Sequence, residues 1–184
     1  NAGQVLGKFD LASKRFDRYI DGPSDGISAM QAIDGTTFAV LNSSGNEVWI
    51  YDYTTGVKHR VGLGAQATRF GMVSGLVTVA YANGVIDKIS ATNGKREQLG
   101  NIGVALPKQS GSDSLRIIQS GDTAYVITQN GNQSSLVSIN IQGQVQSYPI
   151  ASIATSFDIT PNGAAIIIAT GCPSGNSCVP NPNR

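Results

Sequence analysis

The chain has 184 residues, and its thirteen Lys and Arg residues nearly balance twelve Asp and Glu residues, which leaves a net charge of +1. This balance gives no global electrostatic reason to expect nucleic acid or an anionic membrane as a partner. The longest apolar run, residues 164–169, has the length of a buried strand and is much shorter than a membrane span. We therefore expect no transmembrane segment and no nucleic-acid partner.

The chain opens with two predicted strands joined by a short turn. Apolar residues recur through residues 5–11 and 15–20, and Ala12 and Ser13 supply the turn between them. The first residue is Asn and not Met, which is compatible with a processed N-terminus and the removal of a signal peptide. In the repeat described next, this strand pair corresponds to the outer half of a four-stranded unit.

Three complete four-stranded units follow. Tight glycine turns at residues 34–35, 74–75 and 121–122 hinge pairs of short apolar strands and recur every 40 to 46 residues. An internal period of this length, built from strands, predicts a repeat architecture. The predicted units cover residues 27–61, 68–99 and 115–150.

A fourth unit, residues 155–170, turns at Pro161-Asn162-Gly163 and ends after two strands. It lacks an outer pair, which the N-terminal strands within residues 1–20 can supply. We therefore predict a closed ring of four blades over residues 1–171, in which no sheet is left half built. The alternative is a stretch of a larger ring whose other blades lie in further sequence or in a second chain.

Three segments resemble the β-propeller repeats of the NHL, YVTN and quinoprotein-like kind: residues 48–56, 86–94 and 157–163. The first two match a blade strand that ends in a polar turn, and the third matches an inner hairpin with a Pro-Asx-Gly turn. The resemblance implies an all-β fold with blades of four antiparallel strands. It does not extend to WD repeats, because no WD dipeptide follows the third strands, or to the tryptophan-docking motif of quinoprotein dehydrogenases, because Trp49 is the only tryptophan.

Residues 172–184 form a Pro- and Asn-rich tail that contains both cysteines, Cys172 and Cys178. Five residues separate them, and we predict a disulfide that stabilises by about 2 kcal/mol on the loop-entropy model. A metal pair is the rival interpretation, but zinc wants four ligands and the one histidine, His59, is remote in sequence. A disulfide persists only in an oxidising compartment, so we expect an extracytoplasmic location: periplasm, cell surface or secreted.

The sequence offers little for catalysis. A serine or cysteine nucleophile needs a base, and His59 lies between Lys58 and Arg60 on an outer strand that suits solvent better than a pocket. Asp34, Asp122 and Asp158 lie near inner hairpins, where aspartate usually serves the turn. We predict no catalytic residues and no resident cofactor.

Calcium is the one ion for which ligands can be named. Asp17, Asp21 and Asp25 follow one another at four-residue spacing around a glycine-containing loop that could offer several oxygens. The spacing does not fit the EF-hand pattern, and Asp before Gly is also an ordinary turn former.

Aromatic residues on the predicted strands suggest a carbohydrate-binding alternative. An exposed ring face can stack on a pyranose, although packing between blades is the default use of such rings. The candidates are Trp49, Tyr51, Tyr53, Tyr81 and Tyr125.

Basic residues recur on the predicted outermost strands. The set comprises Lys14, Arg15, Arg18, Lys58, Arg60, Lys95 and Arg96. Positive charge on exposed edge strands guards against edge-to-edge aggregation, and we prefer this interpretation to nucleic-acid binding.

These observations predict a non-catalytic protein–protein interaction or scaffolding module of an extracytoplasmic assembly, such as an envelope, pilus, secretion or surface structure. A rigid propeller presents loops on two faces for partners, while the residues that catalysis needs are missing. A lectin-like domain is the first alternative, and an enzyme with its active site in the propeller channel is the second.

Overall fold

A computed structural model describes residues 4–106, 116–131, 133–150 and 152–171. These residues form sixteen β-strands, and within them no helix is long and apolar enough to cross a membrane. The predicted all-β propeller fold is confirmed.

The strands group into two hairpins and three complete blades. The N-terminal hairpin comprises β1 (Val5–Asp10) and β2 (Arg15–Asp21). Blade 1 comprises β3 (Ile27–Ala32), β4 (Thr37–Asn42), β5 (Glu47–Asp52) and β6 (Gly56–Gly62). Blade 2 comprises β7 (Ala67–Val73), β8 (Leu76–Tyr81), β9 (Val85–Ile89) and β10 (Arg96–Asn101). Blade 3 comprises β11 (Arg116–Ser120), β12 (Thr123–Asn130), β13 (Gln133–Asn140) and β14 (Val145–Ile150). The C-terminal hairpin comprises β15 (Ile153–Ile159) and β16 (Ile166–Gly171).

Every blade is an antiparallel meander in chain order. Tight turns make this possible, as at Ser74-Gly75, where both residues take positive φ values (49° and 74°) between β7 and β8. The first strands of blades 2 and 3 also pair with each other in parallel, with Phe70 opposite Arg116 and Gly71 opposite Ile117. This contact joins the two blades into one eight-stranded sheet.

The hydrophobic core is divided among the interfaces between successive units. One cluster joins blades 1 and 2 and includes Ile50 and Phe70, and another joins blades 2 and 3 and includes Ile86 and Val137. Two further clusters attach the hairpins, one under the N-terminal hairpin at Trp49 and Tyr51, and one under the C-terminal hairpin. Each unit therefore depends on its neighbours for burial, as expected of a repeat protein.

Burial along the strands follows this arrangement. Strand β7 of blade 2, which has a neighbour on both faces, is buried at all seven positions, whereas β14 at the outer edge of blade 3 is exposed at five of six. The alternating pattern of β1 shows a hairpin that is covered on one face only.

The inner strand pairs of blades 1 and 2 and the C-terminal hairpin share a bulge that carries a hydroxyl group. Ser28, Thr68 and Thr155 are the unpaired bulge residues of β3, β7 and β15. Their side-chain oxygens donate hydrogen bonds to carbonyl oxygens of the adjacent second strand. The acceptors are the equivalent residues Leu41, Ala80 and Ala169 at 3.2, 3.3 and 3.3 Å. The C-terminal hairpin is therefore the inner half of a blade.

The N-terminal hairpin matches the outer half of blade 1 in the same way. The register of β1 with β2 shifts between Lys8 and Phe9, and the register of β5 with β6 shifts between Ile50 and Tyr51. Strands β1 and β5 therefore align so that Phe9 lies at the position of Tyr51. Both strands end in an aspartate whose side chain accepts a backbone hydrogen bond from the following turn.

The two hairpins do not combine within the chain as the sequence predicts. Strands β1–β2 and β15–β16 lie in separate two-stranded sheets. The N-terminal hairpin instead packs on blade 1, where Leu6 and Ile20 contact the cluster around Trp49. A short loop connects β2 to β3 and keeps the hairpin beside blade 1, and Gly22 N donates to Gln4 O at 2.7 Å to close the base of the hairpin.

Candidate interaction surface

An exposed group of aromatic side chains lies on the N-terminal hairpin. Phe9, Phe16 and Tyr19 are 45%, 58% and 64% exposed. The Phe9 and Phe16 rings meet edge to face with centroids 5.2 Å apart, and Phe16 stacks on Tyr19 at 5.9 Å. We call these three residues the aromatic face.

The strand pattern explains how this face forms. Alternate residues of β1 point to opposite sides, so Leu6 and Lys8 turn towards blade 1 while Gly7 and Phe9 turn away. A Cβ atom on Gly7 would lie 3.2 Å from atoms of both the Phe16 and Tyr19 rings, so the missing side chain lets these rings lie against the strand. The aromatic face is consequently a fixed part of the hairpin and is already ordered for contact.

An apolar cleft lies between the hairpin and blade 1. It has a volume of about 310 Å³, and its lining includes Leu6, Ile20, Met30, Ala32 and Phe38. Met30 is 61% exposed even though it belongs to the first strand of a blade. The cleft therefore leaves apolar surface of blade 1 uncovered beside β1.

A second, more polar cleft is bordered by the first strands of the three blades and by β15. Its volume is about 560 Å³. Across it Arg116 Nη2 lies 3.3 Å from Asp158 Oδ1, and Gln31 and Gln119 contribute amide groups. Both ion-pair partners are well exposed, so the pair contributes little to stability.

The aromatic residues named from the sequence serve mainly to pack blades together. Trp49 and Tyr51 are buried beneath the N-terminal hairpin, and Tyr81 is buried in blade 2. Trp49 Nε1 donates to Glu47 Oε2 at 2.9 Å, and Arg60 covers the ring at 3.8 Å. Partly exposed rings remain at Tyr53 and Tyr125, so carbohydrate stacking stays a prediction that depends on these two residues.

Tyr81 belongs to a buried polar cluster in blade 2. Its hydroxyl donates to Asp87 Oδ2 at 2.8 Å, and the same carboxylate pairs with Arg96 Nε at 3.6 Å. Burial and the Asp87 carboxylate raise the pKa of Tyr81 far above its ordinary value, which keeps the hydroxyl protonated as a donor.

Of the proposed calcium ligands, Asp25 has a structural role. Its Oδ2 accepts hydrogen bonds from Ser44 Oγ at 2.7 Å, Ser44 N at 3.1 Å and Asn42 Nδ2 at 2.9 Å. The bond from the Ser44 side chain is the largest cause of a lowered Asp25 pKa. The Asp17 side chain lies outside the described part of the structure. Among the side chains that are described, no three from acidic, cysteine or histidine residues converge as a metal site. Calcium binding at Asp17, Asp21 and Asp25 stays a prediction.

The remaining candidates are placed as follows. Cys172 and Cys178 lie outside the described residues. His59 is on β6, the outermost strand of blade 1, where its Nε2 atom lies 3.1 Å from Thr92 O. Asp34 accepts backbone hydrogen bonds within its own turn, from Thr36 and Thr37.

The aromatic face itself is absent from the sequence-based candidates. The available signal was the alternation in β1, which places Val5, Gly7 and Phe9 on one side. That pattern shows which residues share a face, but an amphipathic strand is expected to bury its apolar face. The sequence could not show that the hairpin would bury its other face and leave the aromatic one exposed.

No protein-family model matches the sequence, and no match was found among curated proteins. Solved structures do match the fold. The hydrazine synthase of Kuenenia stuttgartiensis superposes with a TM-score of 0.69 and 17% identity, over 93% of this chain and 51% of that one. The β-propeller domain of Cps50 (Swd1) from Myceliophteria thermophila gives 0.64 and 17%, over 90% and 59%.

A third match is BBS1N, solved in complex with ARL6DN, with a TM-score of 0.55 and 14% identity over 90% of this chain and 54% of that one. The chain thus spans about half the length of each of these three matched chains. At such low identity the likeness establishes the β-propeller fold and nothing more specific.

Proposed function

We propose that this chain is a non-catalytic protein–protein interaction or scaffolding module, and that the aromatic face is its docking surface. The exposure of Phe9, Phe16 and Tyr19 carries this proposal. Clustered apolar rings on a protein surface are typical of interaction sites, and aromatic side chains provide much of the binding energy at interfaces.

The hairpin is also well suited to dock without reorganisation. Leu6 and Ile20 anchor its inner face to blade 1, and the three rings already contact one another on the outer face. Binding therefore costs little side-chain ordering, which favours affinity.

The fold supports the same proposal. BBS1N, a propeller with a similar fold, was solved in complex with a protein, ARL6DN. We extend the proposal to an extracytoplasmic assembly, such as an envelope, pilus, secretion or surface structure, on the basis of the cysteine pair and the low charge content. We also propose that the blades of this chain are related to the repeats of NHL, YVTN and quinoprotein-like propellers.

Site-specific photo-cross-linking in the native source tests the docking surface. A photo-reactive amino acid replaces Tyr19 in one variant and Val104, a 41% exposed residue on the loop after β10, in a control variant. We expect a defined protein adduct from position 19 and none from position 104. The absence of any protein adduct from position 19 would overturn the proposal.

The partner identified in this way then allows a binding measurement. The double substitution Phe16→Ser/Tyr19→Ser removes two rings of the aromatic face, and Val104→Ser removes an exposed apolar side chain elsewhere. We expect the first to weaken binding at least about tenfold and the second to leave it unchanged. Equal affinities would show that the adduct came from proximity alone.

A further inference from the structure

The N-terminal hairpin has an open backbone edge. Gln4 and Gly22 are a hydrogen-bonded pair between the strands, so by antiparallel alternation Val5 and Gly7 direct their N–H and C=O groups away from β2. Within the described residues, β2 is the one strand that pairs with β1. An open edge of this kind can accept another strand.

The apolar cleft lies directly beside that edge. In a complete blade the position next to the third strand belongs to the second strand, as β4 lies next to β5. The cleft therefore lies where an inner strand pair would pack in a complete blade. That pair would cover Met30, Ala32 and Phe38.

The C-terminal hairpin corresponds to an inner strand pair of a blade, and the N-terminal hairpin corresponds to an outer pair. It carries the bulge and the hydroxyl hydrogen bond seen in the inner pairs of blades 1 and 2, and the Thr155 side chain donates to Ala169 O. On β16, Ile167 and Ala169 are exposed, whereas the equivalent residues of β4, Ala39 and Leu41, are 0% and 1% exposed. Among the residues that the structure describes, no outer strand pair and no following blade cover this hairpin.

We infer that two copies of this chain assemble head to tail, with β16 of one copy pairing with β1 of the other to complete a mixed blade. Each copy supplies three whole blades and half of each mixed one. Two copies joined in this way form a ring of eight blades with twofold symmetry.

The existing blades define the register of this pairing. In blade 1 Leu41 lies opposite Val48, and in blade 2 the equivalent Ala80 lies opposite Ile86. Transferred to the mixed blade, this places Ala169 of one copy opposite Leu6 of the other. Ile168 then lies opposite Gly7, and Ile167 opposite Lys8, which directs Ile167 into the apolar cleft.

The same assembly covers the aromatic face. Phe9 is equivalent to Tyr51, which is 0% exposed because the preceding unit packs on it. In the ring, the preceding unit is blade 3 of the other copy, whose outermost strand β14 presents Tyr148 at 46% exposure. This inference rests on the proposed function only in naming a second copy as the partner of that face.

Disulfide trapping in the 184-residue chain tests the register. Leu6→Cys and Ala169→Cys are combined in a Cys172→Ser/Cys178→Ser background. The predicted positions form a non-hydrogen-bonded pair, the close antiparallel arrangement that a disulfide can bridge. We expect a covalent dimer under oxidising conditions. The control pair Leu6→Cys/Ile168→Cys is one residue out of register and is expected to remain uncross-linked.

Native mass spectrometry separates the alternatives. A dimer whose cross-link joins two chains supports the inference. A monomer with an internal cross-link would show a closed four-bladed ring, and a monomer without a cross-link would show that the edge stays open; either result overturns the inference. The proposed function can survive both, because it depends on the adduct from Tyr19 and not on the Leu6–Ala169 pair.

A proline substitution provides a second test. Val5→Pro removes an N–H group that points to the open edge while leaving the ladder with β2 unaffected, and Val5→Thr retains the N–H group. We expect the dimer dissociation constant to rise at least tenfold in the proline variant and to change little in the threonine variant. Equal dissociation constants would contradict strand pairing at this edge.

Discussion

The guanidinium carbon of Arg60 lies 3.8 Å from the centroid of the Trp49 ring, and this contact covers the cluster under the N-terminal hairpin. The ring is 8% exposed, and Trp49 also stacks on Tyr51 with centroids 6.0 Å apart. A basic residue of the outermost strand β6 therefore acts as part of a packed interface. The sequence-based view of Arg60 as an edge guard describes its charge and misses this contact.

Replacing Arg60 tests the energetic value of that contact. We expect Arg60→Ala to lower the free energy of unfolding by about 1 kcal/mol, because a cation–π contact and the packing of the arginine stem are lost together. Urea unfolding followed by fluorescence is the measurement, since Trp49 is the only tryptophan. Lys58→Ala, on the same strand, is the control and should change stability by less than about 0.5 kcal/mol. Equal effects of the two substitutions would argue against the contact.

Blades 2 and 3 approach each other closely at Gly71, which lies opposite Ile117. A Cβ atom there would lie 2.2 Å from the carbonyl oxygen of Ile117, which no local adjustment of a side chain can relieve. We expect Gly71→Ala to cost at least about 3 kcal/mol, because the parallel pairing of β7 with β11 must separate. Gly35→Ala, where the added methyl group meets nothing within 4 Å, should be nearly neutral in thermal unfolding. If Gly71→Ala were as stable as the wild type, β7 and β11 would have to lie farther apart than they do in this structure.

Alkaline conditions should destabilise the fold through its buried tyrosines. Burial raises the pKa of Tyr51 to about 12 from an ordinary value of 10, and the pKa of Tyr81 rises for the same reason. The unfolded chain loses these protons first, so the stabilisation is complete below pH 10 and declines as the pH rises towards 12. We expect unfolding free energies between pH 8 and 11.5 to fall in the wild type and to fall less steeply in Tyr51→Phe/Tyr81→Phe. Parallel pH profiles would contradict this assignment.

The Asp25 carboxylate should link the loop before β3 to the turn after β4. We expect Asp25→Ala to lower the free energy of unfolding at pH 7 by roughly 1 kcal/mol, because Ser44 and Asn42 lose their acceptor at an exposed site. The Asp25 pKa is lowered, so its contribution is present above pH 3.8 and is lost as the pH falls through the lower folded value. The difference between the wild type and the variant should therefore shrink in acid. Ser24→Ala is the control, and a difference that persists at low pH would argue against the carboxylate.

Local signals in the sequence determined the strands and turns of this protein. Alternation along segments such as Glu47–Asp52, and glycines that tolerate positive φ at turns such as Ser74-Gly75, act over a few residues and can be recognised directly. The spacing of these signals was enough to predict a repeat of four-stranded units, and the resemblance of residues 48–56, 86–94 and 157–163 to propeller blades implied the propeller.

Only the tertiary structure decided which faces those strands bury. Trp49 and Tyr51 are covered by the N-terminal hairpin, while Phe9, at a position equivalent to Tyr51, is exposed. Alternation assigns residues to two faces but does not say which face receives a neighbour. The N-terminal hairpin docks on blade 1, and not on β15–β16, through contacts between segments that are distant in sequence. The energies of these contacts add up over the whole interface. No single stretch of sequence therefore reveals them.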